Sequence, residues 1–194
     1  DSWGVAHEPG SLYHFTHYVS PLAGRPGSDL KDYEMPDRVH PSCFEGMAER
    51  AAEWRAKGYA VSGAVGHTYE TAWQVRGYDD FLRDMVEDPG PIEGLVERIT
   101  EQNVVIAREL AKAGVDILHI GDDVANQNAL MFSPALWRRF FKGRLKRIMA
   151  AAREVKPDIL TWYHSDGNVE AIIPELIEVG LDILNPVQPE CMDL

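Results

Sequence analysis

Two stretches of the chain, Leu110-Ala-Lys-Ala-Gly-Val-Asp-Ile-Leu118 and Leu176-Ile-Glu-Val-Gly-Leu-Asp-Ile-Leu184, repeat one pattern 66 residues apart. Each reads as a helix end, a glycine that stops it, an apolar residue, an aspartate and the apolar pair that opens a strand. A further apolar run lies between them at 159–163, and another precedes them at 59–65. Apolar strands alternating with helices predict a parallel sheet covered by helices, because parallel strands are joined by crossovers that are usually helical. An open doubly wound sheet and a (β/α)8 barrel both satisfy the pattern.

Punctuation places the helices. Ser42 with Glu45 three residues later reads as a capping box, opening a helix that ends near Lys57. Further helices are expected at 68–76, at 80–87, from Pro91 to Lys112, from the Ser133-Pro134 cap to Val155, and from Pro174 to Gly180. The first forty residues, rich in Gly, Pro, His and Tyr, carry no period and read as a long functional loop.

Composition narrows the classes. At 194 residues, 45% hydrophobic and 26% charged, the chain reads as one globular domain, 1–194. Its 31 acidic against 19 basic side chains give a net charge of −12, which argues against nucleic acid or an anionic membrane as partner. No run reaches the roughly 18 apolar residues that span a bilayer. Cys43 and Cys191 make no disulfide framework, so a reducing compartment, the cytoplasm, is expected. P-loop, Rossmann, H-E-x-x-H and C-x-x-C motifs are absent, so no nucleotide cofactor is expected.

The polar residues fall where chemistry is built. After 59–65 come His67 and Tyr69; after 115–120 come Asp122, Asp123, Asn126 and Gln127. After 159–163 come His164, Asp166 and Asn168, and after 181–184 come Asn185 and Gln188. The carboxyl ends of parallel strands meet on one face, so these loops predict an active-site rim. In His164-Ser-Asp166-Gly167, imidazole and carboxylate can share a metal or a proton, or the aspartate can simply cap a turn. Asp122 and Asp123, as adjacent carboxylates, can raise one another's pKa and supply an acid or a hard-metal ligand, or one of them can simply bond nearby backbone amides. His119, among apolar neighbours, reads as a core histidine, and His7, His14, His17 and His40 lack metal-site spacing. The run 138–147 holds six basic residues and no acid, and reads as a solvated helix face or a dock for an acidic partner. Trp137, Phe140, Phe141, Leu145 and Ile148 interleave with it at core spacing.

In His164-Ser-Asp-Gly-Asn168, Ile173-Pro-Glu-Leu-Ile177 and Asp182-Ile-Leu-Asn-Pro-Val-Gln-Pro-Glu-Cys-Met-Asp193 the chain resembles the uroporphyrinogen decarboxylase superfamily. That superfamily also holds zinc-dependent corrinoid methyltransferases. Asp1-Ser-Trp-Gly4, Gly66-His-Thr-Tyr-Glu-Thr71 with Gly77, and Gly121-Asp-Asp123 with Ser133-Pro134 carry the likeness further. The resemblance implies an α/β (β/α)8 TIM barrel, incomplete here, lacking first and last strands. It implies a decarboxylase of tetrapyrrole side chains needing no cofactor, with Asp1, Asp122, His164 and Asp166 catalytic. His67, Tyr69, Trp73, Asp123, Asn185 and Gln188 are then substrate-binding. Trp73 falls where the decarboxylases have a substrate-contacting tyrosine. The alternative it implies is a methyltransferase working with a corrinoid protein, zinc or another divalent metal sitting at His164 and Asp166. Asp166 stands where the methyltransferases' His-x-Cys motif has its cysteine. A non-catalytic tetrapyrrole-binding relative is the third reading, and a homodimer is compatible with all of them.

Overall fold

Four parallel strands carry the architecture: β3 (Ser62–Gly66), β4 (Ile117–Gly121), β5 (Leu160–His164) and β6 (Ile183–Asn185), hydrogen-bonded in that order. The computed structural model describes residues 1–10 and 16–193; His14 lies outside them. The described residues divide into two compact units. The first comprises Asp1–Asp37 with Tyr69–Ile99, and the second comprises Arg38–Thr68 with Thr100–Leu194.

The second unit holds the sheet. Side chains alternate across each strand, and one face is buried and mostly apolar: Val65, Leu118, Ile120, Thr161 and Tyr163 lie there. Helix α4 (Pro89–Lys112) lies so close that a Cβ on Gly63 would stand 2.6 Å from Leu110 Cδ2. The Ser133 hydroxyl caps a helical run from α5 (Pro134–Trp137) to α6 (Gly143–Arg153) by accepting from the Leu136 amide. A π-type turn, Arg138–Lys142, joins the two helices. Trp137, Phe140, Phe141, Leu145 and Ile148 are buried, as their spacing predicts. Helix α7 (Ile173–Glu178) leads into β6. The open parallel sheet with covering helices is the α/β arrangement expected; the four strands form an open sheet and not a closed barrel.

The repeated Gly-apolar-Asp pattern has a structural cause. Gly114 and Gly180 adopt left-handed φ of 82° and 99°, which turns the chain from helix into strand. Each following aspartate then pins the entrance of its own strand to the neighbouring strand. Asp116 accepts from the Val61 amide and pairs with Arg55. Asp182 accepts from the Thr161 amide and hydroxyl and pairs with Arg153. Burial pushes the Asp182 carboxyl up, but Thr161 and then Arg153 outweigh it, leaving its pKa below the ordinary value.

Two expectations change. The helix expected from Ser42 begins at Met47: α1 runs Met47–Ala56, preceded by Gly46 in a left-handed conformation (φ 71°). Ser42 lies instead in a short 3-10 turn, Pro41–Phe44, where the His40 imidazole accepts from its amide. Glu45 closes that turn rather than a capping box.

In the first unit, the segment read as one long loop contains an antiparallel pair, β1 (Ala6–Pro9) with β2 (Thr16–Val19). It also holds a 3-10 turn, Gly27–Asp32. Helices α2 (Tyr69–Arg76) and α3 (Tyr78–Glu87) supply its core with Tyr69, Ala72, Val75, Phe81 and Met85. The buried Arg76 guanidinium donates to Asp84 at 2.7 Å and to the Leu22 carbonyl at 2.7 Å, tying the irregular chain to the helices. Arg98 does the same at the Leu30 and Tyr33 carbonyls.

Candidate functional site

Register brings the polar residues together. His119 pairs with Trp162, Gly121 with His164, and His164 with Asn185, so these rows share the sheet face opposite the buried one. Gly121 leaves room for the rings: a Cβ there would stand 3.5 Å from His164 Cβ and 3.6 Å from His67 Nε2. Beyond the strand ends, the Asp122 amide bonds the His164 carbonyl and the Ser165 amide bonds the Asn185 carbonyl, carrying the alignment into the loops.

His164 is the centre of the group. Its Nδ1 lies 2.8 Å from Asn185 Oδ1, and the amide oxygen can only accept. That contact calls for a proton on Nδ1 and turns Nε2 toward two carboxylates. Nε2 is 3.6 Å from Asp123 Oδ1 and 3.9 Å from Asp166 Oδ1. One donor atom from each of Asp123, His164 and Asp166 lies within 4.8 Å of the others.

The set fits a divalent cation. Ligands about 2.0–2.1 Å from a tetrahedral metal stand about 3.3 Å apart, so at 3.6 and 3.9 Å from the two carboxylate oxygens Nε2 is a side-chain adjustment of about half an ångström from ligand spacing. One imidazole nitrogen with two carboxylate oxygens is a harder set than thiolates, suited to zinc, manganese or ferrous iron. The imidazole's second nitrogen is held by an amide, as metal-bound histidines require. Asp123 is expected from the resemblance to bind substrate, and from the sequence as one of two carboxylates able to serve as acid or metal ligand; the structure places it, and not Asp122, beside His164 and Asp166. Its signal was present, since it follows β4 at the offset by which Asp166 follows β5.

Asp122 and Asp123 divide their roles. Asp122 is buried, and both carboxylate oxygens accept from the Thr68 amide, at 2.9 and 3.1 Å. The Thr68 hydroxyl accepts from Asn103, whose oxygen accepts from Arg38, and Arg38 also donates to the Val65 carbonyl. The network ties the loop after β3 to the loop after β4. The two later loops are braced in the same way. Gln188 Oε1 accepts from the Gly167 amide, and the Asn168 amide bonds the Asn126 carbonyl. Asp123 Oδ1 accepts from the Asp166 amide at 2.9 Å, holding the two carboxylates together.

His119 is not the core histidine expected. It is half-buried with its ring centre 6.4 Å from that of His164 and 5.6 Å from Trp162. Burial, then the His164 and His67 charges, hold its pKa below the ordinary imidazole value. Leu118 and Ile120 take the buried face of β4, so His119 faces the other way; strand alternation was the signal that could have found it.

The remaining predicted site residues belong to the first unit. Asp1 Oδ1 accepts from the Trp3 and Val5 amides, and Oδ2 is 3.1 Å from His7 Nε2. Tyr69 is buried, its ring edge on Phe81. Trp73 packs against Tyr18 and Tyr78.

The basic run 138–147 is partly answered within the chain. Arg138 and Lys142 both pair with Glu175, and Lys142 also with Glu178. Hydrogen bonds from Arg138 and then Lys142 pull the Glu175 pKa down to about 2. Arg144 donates to the Phe140 carbonyl. Two of the cations that would greet an acidic partner are thus engaged with α7. Cys43 and Cys191 are free thiols. No helix of the described residues is long and apolar enough to cross a membrane.

Residues 12–186 match the sequence profile of uroporphyrinogen decarboxylase (URO-D). The chain belongs to the uroporphyrinogen decarboxylase family. Among curated relatives, a methylcobamide:CoM methyltransferase MtaA of Methanosarcina barkeri is 27% identical over 105 residues, 54% of this chain and 29% of that protein. The same enzyme from strain Fusaro is 25% identical over a stretch of the same length. The match thus spans under a third of those relatives' length. A solved methyltransferase from Methanosarcina mazei superposes with a TM-score of 0.70 at 21% identity, over 94% of this chain and 52% of that one. That likeness establishes the fold.

Proposed function

We propose that this URO-D family chain takes part in metal-dependent transfer of a methyl group between a small substrate and a corrinoid protein. The observation that carries the reading is the convergence of Asp123, His164 and Asp166 at the carboxyl end of the parallel sheet. The names of the curated relatives, both methylcobamide methyltransferases, support it. Barrel closure by further strands belongs to the same proposal, since the solved relative is about twice as long.

Bound at these three residues, a divalent cation supplies Lewis acidity that favours the deprotonated form of a thiol or hydroxyl methyl acceptor. The chain's own residues do the positioning. Asn185 holds the His164 proton on Nδ1 and so keeps Nε2 as a donor of electrons. The Asp166 amide holds Asp123 beside it. Asp122, buried and bonded to Thr68, fixes the loop from which Asp123 projects. Neither free thiol, Cys43 nor Cys191, belongs to this donor set, which with one nitrogen and two carboxylate oxygens is a hard one.

The test is elemental analysis with a methyl-transfer assay. The purified protein is expected to hold close to one equivalent of a divalent transition metal, lost in His164→Ala. It is expected to demethylate methylcobalamin in the presence of a thiol. Metal below a tenth of an equivalent and unchanged by His164→Ala would overturn the reading.

Decarboxylation of a tetrapyrrole side chain is the second reading, favoured by the family profile itself. It needs no cofactor, and His164 then handles the proton that replaces the lost carboxylate. Carbon dioxide release from uroporphyrinogen by metal-free protein would select it. Neither activity, with tetrapyrrole binding retained, would leave the non-catalytic relative.

A further inference from the structure

The first unit carries an open cavity of about 730 Å³, lined by His17, Tyr18, Trp73, Tyr78, Asp79 and Asp80 among others. Three elements each contribute one aromatic ring: β2 brings Tyr18, α2 brings Trp73 and α3 brings Tyr78. Both tyrosines stand at 88° to Trp73, with ring centres 5.2 and 5.4 Å from it. Edge-to-face packing at both ends fixes the indole between two tyrosines and turns the three ring planes in different directions. Aromatic faces carry negative potential, so a wall of this kind attracts cations.

The charge on the wall has the same sign. Asp80 is held below the usual carboxylate range by the Gly24 amide first, then by Arg83 and Arg76. Its charge is therefore ionised but answered within the chain. Asp79, the next carboxylate along, is exposed and makes no ion pair with a described residue. Among the described residues no lysine or arginine lines the cavity, and His17 is the one basic side chain there. One uncompensated carboxylate beside three aromatic rings disfavours anions. It also disfavours small hydrated cations, which an aromatic wall cannot compensate for lost water. A fully methylated, quaternary ammonium group is weakly hydrated, is close to the size of a ring face and, having no proton to lose, keeps its charge at every pH.

We propose that this cavity binds an organic cation with a methylated ammonium head group, seated against Trp73, Tyr18 and Tyr78 and neutralised by Asp79. The assignment rests on the first unit alone and does not depend on the metal reading.

Calorimetric titration with choline and tetramethylammonium tests it, with dimethylbutanol, choline's uncharged carbon isostere, as the control. Saturable choline binding is expected, with the isostere weaker by about tenfold or more. Asp79→Asn, an exposed change that leaves the fold intact, should weaken choline by about threefold to tenfold. Trp73→Leu should abolish binding. If that variant does not fold, Asp79→Asn and the isostere comparison still decide. Equal affinity for choline and its isostere, unchanged affinity in Asp79→Asn, absence of saturation, or preference for acetate each overturn the proposal.

Discussion

At the scale of the residue, a single amide decides what His164 can do. Asn185 sits on the neighbouring strand in register with His164, and its oxygen selects the tautomer. Removing such a partner typically costs a metal site about 10–100-fold in affinity while leaving the ligands in place. Asn185→Ala should therefore weaken metal binding by about tenfold in a competition titration with a chromophoric chelator, whereas His164→Ala removes it. Equal affinity in Asn185→Ala and wild type would mean that the imidazole is oriented by something else. Gly167 is the second residue of this kind. Its φ is +84°, and a Cβ there would lie 2.5 Å from the Asn126 carbonyl oxygen. Gly167→Ala must displace the backbone that carries the Asn168–Asn126 bond, costing about 2–3 kcal/mol, read as a lowered Tm. The sequence motif around His164 was legible because histidine, aspartate and glycine at a strand end have few other uses together. Asp123 was legible only as one of two adjacent carboxylates. Which of the pair meets His164 depends on how Thr68 captures the other.

At the scale of the element, every strand of the sheet and most helices were readable from glycine and proline punctuation, and the misses have physical reasons. The capping box at Ser42 failed because Gly46, one residue past Glu45, takes a left-handed conformation that an ordinary helix start does not use. The β1–β2 pair was invisible because all four residues of β1 are exposed, so no alternation marks it. What the elements share is anchoring by aspartate and arginine at the strand entrances. Asp182→Ala removes three hydrogen bonds to Thr161 and Arg153 at one entrance; about 1–2 kcal/mol is the expected loss, seen as a lowered Tm. The α7 clamp is pH-dependent in a defined direction. Because Glu175 titrates near 2 in the folded chain rather than near 4.5, its stabilising effect is complete above the ordinary value and fades as pH falls from there toward 2. Glu175→Gln should lower Tm slightly at neutral pH and make no difference once the carboxylate is protonated. A difference that persists in strong acid would assign the effect to packing.

At the scale of the whole molecule, the sheet of the second unit raises a question of coverage. Parallel sheets are ordinarily covered on both faces, because each crossover lays a helix on one side or other strands close the second. Here the buried face is complete, while the opposite one presents Leu160 at 45% exposure, with Ala64 exposed and Ile117, Trp162 and Ile183 half-buried. That face is apolar toward the strand entrances and polar toward their carboxyl ends, where His119, His164 and Asn185 stand. In a closed barrel such a face turns inward, with packed apolar layers below and chemistry at the rim. The chain spans about half the solved relative, so the apolar layer should behave as uncovered surface when the 194 residues are studied alone. Exposed apolar patches bind hydrophobic dyes and promote association. The 194-residue chain should enhance the fluorescence of anilinonaphthalene sulfonate and sediment as mixed oligomers. Leu160→Lys should reduce both while leaving Tm within a few degrees, since it replaces a half-exposed side chain. Weak dye binding together with a clean monomer would show that the strip is covered in solution, and the barrel-closure part of the proposal would lose its physical motive.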